Sequence, residues 1–239
     1  NWHNHATHVA GNMIASGVEA KAQGMSYEAT LDAYDWNDDE SEMLSAAANG
    51  LRVSNHSYGL ITGWYYNFFG DGRWTWFGHR GVDDEEDFYF GAYTESSQGW
   101  DEVAYNSPNY LICVAAGNDR NDVPSNQPVT HWSYNPNTQS WELTTTYREK
   151  DGGPDGYDCI SHQSIAKNVL TVGAVNAIPD GYSEPSDVEM SSFSGWGPAD
   201  DGRIKPDVCG NGVGLYSCTA NSNYAYSYYS GTSMATPNV

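Results

Sequence analysis

The run Tyr110-Leu111-Ile112-Cys113-Val114-Ala115-Ala116 constrains the fold more than any other stretch of this chain. A strand that is apolar on both faces belongs in a parallel sheet with helices packed on either side. Its surroundings agree. A helix is expected from Thr94, with Trp100, Val103 and Ala104 on one face. Gly117-Asn118 closes the strand at its carboxyl end, where open α/β sheets place their sites.

The same rhythm recurs along the chain. Val9, Ala10, Met13 and Ile14 fall at helical spacing, with Gly17 as terminator. Asp38-Asp39-Glu40 gives acidic capping for a helix through Met43, Leu44 and Ala47, ended by Gly50. The strand Leu51-Arg52-Val53-Ser54-Asn55 runs into His56-Ser57-Tyr58-Gly59. A short helical turn at Ser164 to Asn168 precedes the strand Val169 to Val175. The expected class is α/β with a mostly parallel sheet, within one domain of 239 residues.

Two stretches break the pattern and are expected to be surface insertions. Residues 62–93 alternate glycine with Trp64, Tyr65, Tyr66, Phe68, Phe69, Trp74, Trp76 and Phe77. These rings suit a small satellite core that holds the insertion together, and they also suit a carbohydrate-stacking surface or a cleft wall. The acidic run Asp83 to Asp87 that follows has no EF-hand spacing and reads as a solvated loop. Residues 119–158, rich in Asn, Pro, Gly and Asp, are longer than a simple connection needs.

Composition removes several functions. A formal net charge of -21 opposes binding to nucleic acid or to an anionic membrane surface. No run of apolar residues is long enough to span a membrane, and Asn1 opens no signal-peptide pattern. The acidic, lysine-poor, Trp- and Tyr-rich chain reads as secreted. In that setting the four cysteines (Cys113, Cys159, Cys209, Cys218) are able to form two bridges, with three pairings open. Cys209 and Cys218 lie close enough to bridge within one hairpin, whereas Cys113 suits a buried free thiol equally well.

The chemistry sits at the two ends. Gly231-Thr232-Ser233-Met234-Ala235-Thr236-Pro237 suits a tight turn opening a helix, with Ser233 in the first turn near the positive end of its dipole. A serine hydroxyl is a weak nucleophile that needs a base and a place for the developing oxyanion. His5-Ala6-Thr7-His8-Val9-Ala10-Gly11 puts His5 at a second helix start, where a histidine stays neutral as a base must be. His3, His5 and His8 also raise metal binding, but helical spacing splays them and no cysteine accompanies them.

The two stretches together resemble the subtilisin-like serine proteases, the subtilases. That family carries His-Gly-Thr-His-Val-Ala-Gly around its base and Gly-Thr-Ser-Met-Ala-Thr-Pro around its nucleophile. Ala115-Ala116-Gly117-Asn118 resembles the segment whose asparagine amide donates to the oxyanion, and Ser57-Tyr58-Gly59 the edge that pairs with extended substrate. Further matches are Gly24-Met25 to Leu31, which enters a strand in the family, Lys167 to Ala174, Ser192 to Pro198, and Asp201 to Val208. The resemblance implies a three-layer sandwich and a secreted, monomeric endopeptidase acting on peptides through an acyl-enzyme. It implies His5 as base, Ser233 as nucleophile and Asn118 as oxyanion donor. Substrate backbone is then expected between Ser57-Tyr58-Gly59 and Ala115-Ala116-Gly117. No cofactor is required, and a structural calcium ion is compatible with the family.

The chain departs from the family at Ala6, usually glycine, and at Gly210-Asn211-Gly212, usually Ala-Pro-Gly. The family's aspartate precedes its histidine on a strand, yet only four residues precede His5 and none is acidic. Asp32 and Asp35 come after the histidine, in the wrong place. The chain is therefore expected to be an internal fragment of a catalytic domain spanning residues 1–239, truncated at both ends and nearly inactive by itself. In subtilisin, loss of the aspartate costs about 3 × 10⁴ in turnover. A rival reading is a non-catalytic secreted binding module for protein or polysaccharide, which predicts binding without turnover.

Overall fold

The computed structural model describes residues 3–239. The first half contains α1 (Asn4–Ile14), α2 (Asp39–Ala48), β1 (Val53–His56), β2 (Trp64–Tyr66), β3 (Trp74–Trp76) and α3 (Glu95–Asn106). β4 (Leu111–Ala115), β5 (His131–Asn135), β6 (Ser140–Thr144) and β7 (Leu170–Val175) follow. β8 (Val208–Asn211), β9 (Leu215–Cys218), β10 (Tyr226–Tyr229) and the short α4 (Thr232–Ala235) complete the chain.

The central sheet has the order β1-β4-β7-β8, and every pair in it is parallel. The apolar run is its second strand, so both its faces are covered. On one side Ile112 and Val114 pack with Met43 of α2 and Trp100 and Val103 of α3. On the other side Val172 and Ala174 pack with Ala235 of α4. The fold is thus a three-layer α/β sandwich, as expected.

α3 begins where its sequence says it should. Thr94 accepts from the Ser97 N–H while Ser97 reaches back to the Thr94 N–H, closing a capping box. α2 differs from expectation: Asp38 sits in the left-handed region at φ 56° and makes no side-chain cap. Its acidic residues act instead from within the first turn, through Asp39, Glu40 and Glu42.

Three further expectations are corrected. The segment from Gly24 to Leu31 forms no strand, and residues 25–38 are almost wholly exposed. A strand needs an edge to take its hydrogen bonds, and no strand of the sheet pairs with it. Cys209 and Cys218 share no hairpin, because Cys209 lies on β8 of the parallel sheet and Cys218 on β9 of the β9–β10 hairpin. All four thiols are free.

The two stretches expected as separate insertions also join each other. β2, β3, β5 and β6 make one sheet, in which β3 of the first stretch pairs in parallel with β5 of the second. Trp64 and Trp76 on its inner face are wholly buried, and the Arg148 guanidinium lies 4.2 Å over the Trp76 ring. Phe68, Phe69, Phe77 and Trp141 form an edge-to-face cluster, with Phe68 and Phe69 still half exposed. Buried carboxylates tie this sheet down: Asp87 accepts from the Gly63 N–H at 2.8 Å and Asp151 from the Trp64 N–H at 2.8 Å. Gly63 is required there, since a Cβ would stand 2.2 Å from the Asp151 carboxylate and the backbone has φ +64°.

Candidate active site

Ser233 occupies the first turn of α4, just beyond the carboxyl end of the parallel sheet. Its hydroxyl donates to the Ser57 carbonyl at 3.2 Å, and the Ser57 hydroxyl donates to the Ser233 carbonyl at 2.9 Å. This reciprocal pair fixes the α4 turn against the end of β1. Among the described residues no hydrogen bond takes up the Ser233 N–H.

Asn118 stands beside the same turn. Its Oδ1 accepts from the Thr232 N–H at 2.8 Å and from the Thr232 hydroxyl at 3.0 Å. Because an N–H can only donate, the atom facing Thr232 must be the oxygen, and Nδ2 therefore faces away. Asn118 is an exposed residue whose amide is already oriented. Thr232 thus does a job that the motif alone did not reveal: it sets which end of Asn118 meets the cleft.

His5 lies in the first turn of α1, where His3 takes over the capping by accepting from the Ala6 N–H at 3.4 Å. Burial first, and then the neighbouring His3 and His8, push His5 below its usual value, so the ring is neutral at pH 7. α1 packs against α4, which carries Ser233. Among the described residues, however, no hydrogen bond joins His5 to Ser233 and no carboxylate bonds to His5. Asp32 and Asp35 are exposed on the irregular segment.

His8 is structural. It is wholly buried, its Nε2 lies 3.1 Å from both the Leu215 and the Ser227 carbonyl, and its ring stacks on Tyr229 at 4.4 Å. With His8 turned into the β9–β10 hairpin, the three histidines form no metal site. Among the described residues no group of three or more His, Cys, Asp or Glu stands together as a metal site. Calcium also takes backbone and amide carbonyls, which that grouping does not cover.

The six residues expected to meet substrate differ in what they offer. Ser57 is buried and spent on Ser233, whereas Gly59 is exposed. The Tyr58 carbonyl accepts from Gln163 Nε2 at 3.2 Å, the Ala115 carbonyl from the Ser164 hydroxyl at 2.8 Å, and the Gly117 carbonyl from the Gly195 N–H at 3.0 Å. Ala115 and Ala116 are buried. The helical turn that supplies Gln163 and Ser164 spans His162–Ile165, earlier than the Ser164 to Asn168 expected from sequence. Its bonds to Tyr58 and Ala115 had no sequence signal, because they depend on which strands it happens to cross.

A second hydrogen-bond chain backs β1. The Tyr58 hydroxyl donates to Asp39 at 3.1 Å, so it must accept from Nδ1–H of His56 at 2.8 Å, while Nε2 accepts from the Ser54 hydroxyl at 2.7 Å. Burial pushes His56 down to about 4, which keeps the ring neutral and both bonds intact at neutral pH. The end of β1 that carries Ser57 is therefore anchored on both sides.

Comparison with known proteins bears on the family and the fold. The model of a family described as Subtilase family matches residues 1–239. C5a peptidase of Streptococcus pyogenes is 44% identical over 62 residues, covering 26% of this chain and 5% of that protein. Serine protease AprX of Bacillus subtilis is 32% identical over 99 residues, covering 36% of this chain and 22% of that one. The chain thus spans less than a quarter of either relative. Among solved structures, the patellamide maturation protease PatG superposes with a TM-score of 0.54 at 14% identity, over 98% of this chain and 49% of that one. The prenylagaramide maturation protease PagA gives 0.51 at 19% identity, over 98% and 60%.

Proposed function

The chain belongs to the subtilase family, and we propose that it is a serine endopeptidase in which Ser233 attacks the peptide carbonyl. One observation carries the reading most directly. Ser233 and the oriented carboxamide of Asn118 flank one residue, Thr232, at the carboxyl end of a parallel sheet.

In this reading Ser233 Oγ bonds to the carbonyl carbon as His5 takes its proton. The Ser233 hydroxyl donates that proton to a hydrogen bond with the Ser57 carbonyl, so a rotation about the Ser233 side chain must precede transfer. The oxyanion is held by Asn118 Nδ2 and the free Ser233 N–H. His5 then returns its proton to the leaving amine, and water releases the acyl group. A carboxylate orienting His5 completes the triad, and no described carboxylate fills that place. The acidic, aromatic-rich composition supports an extracellular protein, and among the described residues no helix is long and apolar enough to cross a membrane.

Labelling with a serine-directed fluorophosphonate, followed by peptide mass mapping, tests this. With no carboxylate orienting His5 the adduct is expected to form slowly, on Ser233, to be lost in Ser233→Ala and to form more slowly still in His5→Ala. Labelling that persists in Ser233→Ala would overturn the assignment.

A further inference from the structure

Asn118 projects from a two-residue step in the backbone. The Gly117 carbonyl accepts from the Gly195 N–H at 3.0 Å, and the Arg120 N–H donates to the Phe193 carbonyl at 3.4 Å. Asn118 and Asp119 lie between those two bonds, so the place of the carboxamide depends on how firmly each end is held. The first bond has an ordinary length, whereas the second is longer than a strong N–H to carbonyl bond. The backbone alone therefore leaves the far end of the step weakly fixed.

The Arg120 side chain supplies what that bond lacks. Its guanidinium lies 3.6 Å over the Trp196 ring, and its Nε donates to the Gly156 carbonyl at 2.8 Å. A flat cation on an indole face, with a charged donor on a carbonyl, is fixed in both distance and orientation. Both partners are themselves pinned. The Trp196 carbonyl accepts from the Cys159 N–H at 2.8 Å, and the Trp196 N–H donates to Cys159 Sγ at 3.3 Å. Gly156 has φ +72°, and a Cβ there would stand 2.8 Å from Nη2 of Arg120, so a glycine is required for this approach. Among the described residues no ion pair includes Arg120. Its guanidinium is committed to the ring and the carbonyl, and not to balancing the neighbouring acids.

Arg120 and Gly156 stand near the two ends of the long 119–158 stretch, 36 positions apart. A second bond closes the same base, from the Asp151 N–H to the Asp122 carbonyl at 3.1 Å. The stem of this insertion is thus built against the turn that carries Asn118. We propose that Arg120 is a positioning residue for the oxyanion donor: held by Trp196 and Gly156, it fixes the backbone step from which Asn118 presents its amide beside Ser233. The inference deepens the peptidase reading and rests on it, and Arg120 acts through Asn118 and not on the substrate.

A double-mutant cycle tests it. Second-order rates of Ser233 labelling by a fluorophosphonate are measured in the unmutated chain, in Arg120→Ala, in Asn118→Ala and in the double variant. Arg120→Ala is expected to slow labelling roughly tenfold, part of the loss on the order of 10²–10³-fold that removing such a donor costs in subtilisin. In the Asn118→Ala background the same substitution should change the rate by less than about twofold, because the group it positions is gone. A merely structural effect slows labelling by the same factor in both backgrounds, and that result overturns the inference. An unchanged rate in Arg120→Ala overturns it too. If Arg120→Ala does not fold, Arg120→Lys takes its place in the cycle. Lysine keeps the charge but neither the flat stacking face nor the Nε donor, so the same non-additivity is expected. No labelling of Ser233 in the unmutated chain, or full-rate labelling in Asn118→Ala, overturns the inference together with the reading on which it rests.

Discussion

Ser57 and Ser233, 176 positions apart, exchange two hydrogen bonds, each hydroxyl donating to the other residue's carbonyl. The nucleophile's turn and the end of β1 are therefore one unit. Ser57→Ala removes one bond and leaves the carbonyl that holds the Ser233 hydroxyl. The expected result is roughly a 2- to 12-fold slower fluorophosphonate labelling, the kinetic equivalent of a bond worth about 0.5–1.5 kcal/mol. An unchanged rate would show that the contact is incidental.

Asn118 and Thr232 should separate under mutation. Asn118→Ala removes the donor itself and is expected to slow labelling on the order of 10²–10³-fold, a magnitude that comes from subtilisin and not from this chain. Thr232→Val keeps the backbone N–H to Asn118 and loses only the hydroxyl at 3.0 Å, so a few-fold loss is expected. Equal losses in both variants would mean that Thr232 acts in some other way than by orienting the amide.

His8 is expected to matter for stability alone. His8→Ala leaves the Leu215 and Ser227 carbonyls without their shared donor and removes a ring stacked on Tyr229. A loss of about 2–4 kcal/mol in urea unfolding follows. A variant as stable as the parent would contradict the buried role assigned to it.

Trp76→Ala tests whether the second sheet has its own core. Trp76 is wholly buried beneath Arg148, and such a truncation costs about 3–5 kcal/mol. Hydrogen exchange should accelerate across residues 64–76 and 131–144, while Leu111–Ala115 stays protected. Uniform loss of protection in both sheets would show that they unfold together.

The base of that sheet should respond to pH. Burial pushes Asp119 up to about 7 and Asp122 up to about 6, and holds Asp151 well above the usual carboxylate range. A carboxyl whose pKa rises on folding stabilises the fold fully below its unfolded value and loses that contribution as pH climbs through the folded value. Asp122→Asn is therefore expected to gain in melting temperature relative to the parent as pH rises from about 4 to about 7. His56, lowered to about 4, works in the opposite sense and loses its contribution as pH falls from about 6.5 to about 4. Parent and Asp122→Asn curves that stay parallel would exclude a titrating Asp122.

Much of this protein is written locally. The Tyr110–Ala116 run, the helix signals at Thr94 and around Met43, and the motifs at His5, Asn118 and Ser233 are all legible, because each depends on a residue and its near neighbours. Periodicity reports burial and turn chemistry reports backbone geometry, and neither needs a distant partner. The sequence alone thereby determined the α/β class, the strand that centres the sheet and the residues to inspect for chemistry.

Tertiary structure decided what touches what. It joined two apparent insertions through the parallel pairing of β3 with β5, separated Cys209 from Cys218, and left Gly24 to Leu31 without a strand partner. It turned Asn118 through Thr232, tied Ser57 to Ser233, and laid Arg120 on Trp196 and Gly156. None of these pairings has a local signature. A hydrogen-bond donor or an aromatic face is the same along the chain wherever it occurs, and only the packed fold selects its partner.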